Sequence, residues 1–77
     1  MTERQLRQRL ARNLKAIRTG VGLSIEEAAG RSEVDPRHWR KIEDGDVSAT
    51  LRTLANIATG LGIDPADLLA APPASPP

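Results

Sequence analysis

Four side chains that carry or can accept a positive charge fall within one short segment of this 77-residue chain: Arg37, His38, Arg40 and Lys41. If the segment is a helix with Trp39 at the centre of its buried face, Arg37 and Lys41 point outward, one turn apart. Such cations can donate hydrogen bonds to phosphate oxygens or to the acceptor-rich edge of guanine. The same pattern is typical of a solvated helix face, and the spacing alone favours that interpretation.

Residue types that enzymes and metal sites need are scarce. The chain has no cysteine, which excludes disulfides, thiolate metal ligands and a thiol nucleophile, and it has a single histidine. Its carboxylates are scattered, and it contains neither a nucleophile elbow nor a phosphate-binding glycine loop. We therefore expect no enzymatic activity, no metal or other cofactor, and no pocket for a small-molecule ligand.

Apolar periodicity predicts five helices, because leucine, isoleucine and alanine recur every three or four residues and aromatic residues are nearly absent. The expected ranges are 3–19, 24 to 31 or 32, 36–43, 50–61 and a short helix from 64. The apolar stripe of the fourth helix consists of Leu51, Leu54, Ile57, Ala58 and Leu61. Gly60 is expected to weaken the last turn of that helix by up to about 1 kcal/mol relative to alanine.

Capping residues mark the starts of the second and third helices. Ser24 and Glu27 have the spacing of a capping box, in which each side chain bonds to the other residue's backbone N–H. Asp35 is a favourable N-cap, and Pro36 suits the first helical position, where its missing N–H matters least. The helix dipole and free amides at Ser24 also predict an anion site.

The sequence predicts neither a membrane-spanning helix nor a signal peptide, and it predicts a C-terminal tail outside the folded helices. No apolar run approaches the length of about 20 residues that a membrane helix needs, and the N-terminus lacks the apolar stretch of a signal peptide. We expect a soluble, cytoplasmic protein with no membrane partner. The proline-rich segment 71–77 is expected to be a disordered tail after a single domain over residues 1–70.

The segments LSIEEAAGRSEVDPRHWRKIEDG (23–45) and TLRTLANIATGLGIDPADLL (50–69) resemble those of the Cro-like (XRE-type) helix-turn-helix transcriptional regulators of bacteria. The resemblance covers about residues 10–69. It implies an all-α, compact, five-helix Cro/repressor-like DNA-binding domain. A repressor, a controller-type activator of a restriction system and an antitoxin-like autoregulator are all compatible with it.

This family places its second helix across the DNA backbone and its third helix in the major groove, commonly as a homodimer on a palindromic operator. The resemblance therefore implies double-stranded DNA as the partner. The expected DNA contacts are Ser24, Arg37, His38, Arg40 and Lys41. It also implies a semi-buried ion pair between Arg18 and Glu43, whose role would be to position the third helix.

Three departures from the family pattern concern packing. Glu33 stands in the turn where the family usually has glycine, and it would be strained if the backbone there is left-handed. The small Ala28 and the large Trp39 replace a leucine and an aliphatic residue of the family. We expect the indole to lie in the core and to fill the volume that Ala28 leaves.

Other departures concern DNA contact. Ile25 stands where a glutamine of the family commonly touches the DNA backbone, and Asp44 and Asp46 occupy positions where basic residues often approach phosphate. Together with Glu33, these residues motivate an alternative function, a protein-interaction module, antitoxin-like or regulator-binding, that retains the fold but binds DNA weakly. A protein partner captured at stoichiometric yield would favour this alternative.

The net charge of +1 conceals an uneven distribution. Residues 1–18 contain six cations and one acid, whereas residues 24–46 contain four cations and seven acids. The cations of the first helix are Arg4, Arg7, Arg9, Arg12, Lys15 and Arg18. They form either a solvated face or a surface that flanks the phosphate backbone. Binding by one copy is expected to be modest and sensitive to salt.

A dimer surface is predicted from apolar residues that a small core need not absorb. The candidates are Leu6, Ile63, Leu68 and Leu69. The residues near the C-terminus can equally close the core, and the sequence leaves these two roles open.

Overall fold

The computed structural model describes residues 1–71, which form five α-helices and no strand. The helices are α1 (Glu3–Gly20), α2 (Ile25–Ser32), α3 (Pro36–Glu43), α4 (Leu51–Leu61) and α5 (Ala66–Leu69). The predicted all-α, five-helix architecture is thus confirmed. Apart from Ala71, the predicted tail lies outside the described residues. No helix within residues 1–71 has the length and apolar character needed to span a membrane.

One aliphatic core, with a single tryptophan at its centre, holds the helices together. Its largest fully buried side chains are Trp39, Leu14, Ile42, Ile57 and Leu68. Helix α1 packs against α3 and α5, while α2 packs against α3 and α4. Helix α3 therefore has one face against α1 and α2, and its opposite face is left for solvent or for a partner.

The first four helices end in the same way. Each is followed by a left-handed residue, namely Gly22, Glu33, Gly45 and Gly62. The next residue then donates a backbone hydrogen bond to the carbonyl five positions earlier; the bond from Val34 to Ala29, for example, measures 3.0 Å. Glu33, with a φ of 55°, is the only non-glycine residue with positive φ in the described chain. The turn between α2 and α3 therefore carries the steric cost that the sequence suggested.

Two expectations for α4 are corrected. Leu51 was predicted to join the apolar stripe, but 83% of the residue is exposed. At 100° per residue it lies about 70° from the centre of the face that Leu54, Ile57, Ala58 and Leu61 define. Leu51 is also the first residue of the helix. Helical side chains tilt toward the N-terminus, so its side chain points past the start of the helix and has no preceding turn to cover.

Gly60 has a packing role that outweighs its low helix propensity. A Cβ at this position would overlap Ser32 Oγ and would lie 2.8 Å from the Cα and N atoms of Ser32. Because two of these atoms belong to the backbone, a side-chain rotation cannot relieve the overlap. Alanine would therefore weaken the contact between α2 and α4 rather than strengthen α4, contrary to the expectation from propensity.

Candidate nucleic-acid interface

The α2–turn–α3 unit begins with the predicted capping box. Ser24 Oγ accepts a 3.0 Å hydrogen bond from the Glu27 N–H, and Glu27 Oε1 accepts one of 3.0 Å from the Ser24 N–H. Hydrogen bonds from the Ser24 backbone N–H and from the Ser24 side chain hold the pKa of the Glu27 carboxyl below its ordinary range. The carboxylate thus already occupies the helix start where an anion was expected. With Glu26 beside it, a phosphate at this end of α2 would have to approach two acidic side chains.

The inner side of α3 is anchored by a network around Glu43. Arg18 Nε and Nη2 donate to the two oxygens of Glu43 at 2.7 and 2.9 Å, which is the ion pair that the family resemblance implies. Arg18 Nη1 donates to the Leu23 carbonyl at 2.9 Å. The indole N–H of Trp39 also donates to Glu43. These four residues join α1, the start of α2 and the end of α3.

The network also sets the protonation state of its members. Burial raises the pKa of Glu43, but hydrogen bonds from Arg18 and Trp39 outweigh that effect and leave the pKa below its ordinary range. The hydrogen bonds to Glu43 raise the pKa of Arg18. Both groups are therefore charged across the physiological pH range.

On the outer side of α3, Arg37 and Lys41 are exposed and lie one turn apart. Arg37 Nη2 approaches Asp35 Oδ2 at 3.2 Å, so its charge is partly balanced by the residue that caps its own helix. The Lys41 ammonium has no hydrogen bond or ion pair within residues 1–71. His38 is half-buried at the edge of this face.

Arg40 connects the two helices of the unit instead of standing free. Its Nη2 lies 3.3 Å from Glu26 Oε1, and both side chains are largely exposed. An exposed pair of this kind contributes little to stability and can exchange its partner for a phosphate oxygen. Ile25, beside Glu26, is half-buried and packs against the core. Part of its apolar surface is therefore covered by the core and is not available to a partner.

Half of the cations of α1 are used within the protein. Arg18 binds Glu43, Arg7 Nη1 donates to the Gly45 carbonyl at 3.2 Å, and Arg9 Nη1 donates to the Leu69 carbonyl at 3.4 Å. The three others, whose side chains make no such bond within residues 1–71, are Arg4, Arg12 and Lys15. The basic face predicted for the first helix is therefore about half as large as its composition suggests.

Comparison with known proteins decides the family. The family model described as "Helix-turn-helix domain" matches residues 4–71, nearly the full described chain. The chain belongs to this helix-turn-helix family. The resemblance identified from the sequence is thereby confirmed, and the α2–turn–α3 unit is its helix-turn-helix. No curated protein sequence matches the chain.

Solved structures support the same assignment. An HTH_3 family transcriptional regulator from Vibrio cholerae is 31% identical with a TM-score of 0.85; the match covers 87% of this chain but 38% of that one. The restriction-modification controller protein C.AhdI from Aeromonas hydrophila is 31% identical with a TM-score of 0.78, over 80% of this chain and 94% of its own. The clp gene regulator ClgR from C. glutamicum is 31% identical with a TM-score of 0.77, over 83% of each chain.

The three solved structures are all described as regulators or controller proteins, and the family model that the chain matches is a helix-turn-helix domain. The chain spans 38% of the Vibrio protein, so the roles of that longer protein do not carry over to it as a whole.

The candidate dimer residues of this helix-turn-helix protein differ in exposure. Leu68 is fully buried, so it closes the core and offers no surface to a second copy; for this residue the interface expectation was wrong. Ile63 and Leu69 are half-buried and pack against the core. Leu6 is 38% exposed. Leu51, which the sequence placed in the core, is the most exposed large apolar residue of the described chain.

Two features of the site were missed from the sequence. Trp39 and Glu43 are four residues apart on one helix, and that spacing alone indicates that their side chains can meet. The contact between Arg40 and Glu26 joins two helices, so only the angle between α2 and α3 reveals it.

Proposed function

We propose that this chain is a sequence-specific DNA-binding transcriptional regulator that acts as a homodimer on a palindromic operator, with α3 in the major groove. The observation that carries the proposal is the division of α3 into two faces. Trp39 and Ile42 are buried on one face, whereas Arg37 and Lys41 stand exposed on the other. An exposed helix face with two cations one turn apart fits the width and the acceptor pattern of the major groove.

In this arrangement Arg37 and Lys41 read base edges. Arginine can donate two parallel hydrogen bonds to O6 and N7 of guanine, and lysine can donate to the same edge. Arg40 and His38 flank these residues and are assigned to phosphate, which fixes register without reading sequence. Ser24 is assigned to phosphate at the start of α2, where it must act against the nearby Glu26 and Glu27.

The length of α3 supports the need for two copies. A helix of eight residues is about 12 Å long. It therefore spans about four base pairs at about 3.4 Å each. So short a half-site does not define a unique operator, whereas two half-sites one helical turn apart double the information. Because Arg37 and Arg40 have acidic neighbours, one copy alone should also bind weakly.

Selection from random-sequence double-stranded DNA tests this function. The expected product is a palindrome whose half-sites lie about 34–36 Å apart. Arg37→Ala and Lys41→Ala should each lower affinity for the selected site about tenfold. Arg52→Ala is the matched control, because Arg52 is an exposed cation on α4 outside the helix-turn-helix. An unenriched pool, or equal losses for all three variants, would contradict the proposal.

Sedimentation of the protein with and without operator tests the homodimer. We propose Leu6, Ile63 and Leu69 as the surface between copies, with Leu6 the most accessible of them. Leu6→Glu and Leu69→Glu should each produce a monomer with unchanged helicity if their residue lies in the interface. A variant that unfolds shows instead that its residue supports the core.

The second candidate is a protein-interaction module with weak DNA binding. The observation in its favour is that Asp44 and Asp46 are both exposed at the end of α3. It predicts DNA binding that does not depend on sequence, together with one protein partner captured at equal stoichiometry. A selected palindrome would rule it out as the main function.

A further inference from the structure

The cap of the recognition helix is also an arginine ligand. Asp35 Oδ1 accepts a 2.7 Å hydrogen bond from the Arg37 backbone N–H, which is the capping interaction of α3. The same carboxylate accepts from Arg37 Nε at 3.3 Å and from Nη2 at 3.2 Å. One side chain thus holds both the start of the helix and the guanidinium of its first exposed cation.

The geometry leaves a specific part of Arg37 free. A guanidinium has five N–H donors arranged along its edges. Asp35 engages the edge formed by Nε and Nη2. The edge formed by Nη1 and the second Nη2 hydrogen remains available, and these two donors are parallel. That is the donor pattern which matches O6 and N7 of guanine.

We propose that Asp35 is a positioning residue for base recognition: it orients Arg37 so that the free guanidinium edge reads one guanine in each half-site. The proposal rests on the proposed DNA-binding function and names the base that Arg37 selects. Asp35 is suited to this role because its carboxylate is already fixed by the capping bond. The hydrogen bonds from Arg37 also hold the pKa of Asp35 below its ordinary range, so the carboxylate stays charged.

Because Asp35 is charged, its removal should affect non-specific DNA affinity and guanine preference differently. A carboxylate close to DNA is repelled by phosphate, so its removal should not weaken non-specific binding. Loss of orientation, however, should reduce discrimination between guanine and other bases. The Asp35→Asn variant should therefore keep or increase affinity for random DNA while it loses guanine preference at one position. A residue that served only as a helix cap would not separate these two quantities.

The test compares selected DNA motifs for the full chain and five variants. Asp35→Asn keeps a good N-cap and removes the charge. It is expected to lower guanine preference at one position of the half-site about threefold. Asp35→Ser, a second cap without a carboxylate, should behave alike, and circular dichroism checks that both retain native helicity. Asp67→Asn is the matched control, since Asp67 is an exposed acid on α5, outside the helix-turn-helix, and its carboxylate has no bond within residues 1–71. It should leave the motif unchanged.

Arg37→Ala distinguishes a failure of the positioning role of Asp35 from a failure of the proposed DNA-binding function. Arg37→Ala could abolish the preference for a guanine that both folded Asp35 variants still select as strongly as the wild-type chain does. That result would overturn the positioning role, while the DNA-binding function would stand. If the wild-type chain selects no motif, the proposed function fails and the positioning role falls with it. Combining Arg37→Ala with Asp35→Asn should cause no loss of preference beyond Arg37→Ala alone; an additive loss would show that Asp35 acts independently of Arg37.

Discussion

The inner and outer sides of α3 each hold an arginine–carboxylate pair. On the inner side, Arg18 and Glu43 meet at 2.7 Å, and only 12% and 5% of their side chains are exposed. On the outer side, Arg37 and Asp35 meet at 3.2 Å, with 87% and 50% exposed. The residue types are the same, but burial separates their roles. The inner pair cannot separate without leaving a buried charge unpaired, whereas the outer pair is solvated and leaves one edge of the Arg37 guanidinium free for DNA.

The largest effect should follow from breaking the inner pair. Arg18→Ala leaves Glu43 buried without its main partner, and we expect the free energy of unfolding to fall by about 3 kcal/mol. Urea denaturation measures this change. Arg40→Ala removes an exposed pair with Glu26 and should cost less than about 0.5 kcal/mol. Equal losses for the two variants would contradict the distinction between the sides.

The next largest effect should come from the contact between α2 and α4, which lies away from both sides of α3. Gly60→Ala forces a Cβ onto backbone atoms of Ser32, so we expect a loss of about 2 kcal/mol in unfolding free energy. Gly30→Ala is the control, because a Cβ at Gly30 in α2 meets no atom within 4 Å. That control should stabilise the protein by up to about 1 kcal/mol through helix propensity. A stable Gly60→Ala protein would show that the close approach is not required.

The turn between α2 and α3 offers a change of opposite sign. Glu33→Gly removes the steric cost of a left-handed glutamate and should raise the free energy of unfolding by about 1 kcal/mol. Glu33→Ala makes the same change in charge but keeps a Cβ, so it should give no such gain. Thermal or urea unfolding of the pair isolates the backbone contribution. If alanine stabilises the protein as much as glycine, the charge and not the backbone is the cause.

Acid should weaken the inner side through Glu43. Its pKa is lower in the folded protein than in the unfolded chain, so its stabilising contribution is present above the unfolded pKa and is lost as pH falls through the folded pKa. The free energy of unfolding should therefore decrease below about pH 4. Glu27 and Asp35 have pKa values shifted in the same direction and add to the slope. Glu43→Gln should make the slope shallower, and an unchanged slope would show that Glu43 does not contribute.

Local signals in the sequence were sufficient for the helices and for part of the site. The capping box at Ser24, the Asp35–Pro36 start and the apolar spacing all depend on neighbours within one or two turns, and the predicted helix bounds agree with the structure to within a residue or two. Helical periodicity, with Trp39 on the buried face, also predicted that Arg37 and Lys41 lie on the outward face.

Features that depend on how two helices meet could not be predicted this way. Periodicity does not show that Leu51 precedes the packed part of α4, or that Gly60 is needed next to Ser32. The pairing of Arg40 with Glu26 and the use of Arg7 and Arg9 as ligands for distant carbonyls also need the tertiary arrangement. Charge counting therefore overestimated the cations that are free to bind phosphate.

The most direct test of the account is to remove the exposed cation of α3 that has no partner within residues 1–71. Lys41→Ala should leave helicity and the thermal unfolding midpoint unchanged, because the side chain makes no contact that the fold needs. Affinity for the operator selected from random DNA should fall about tenfold. If affinity for that operator is unchanged while the fold is intact, the outer face of α3 does not read DNA and the central claim is wrong.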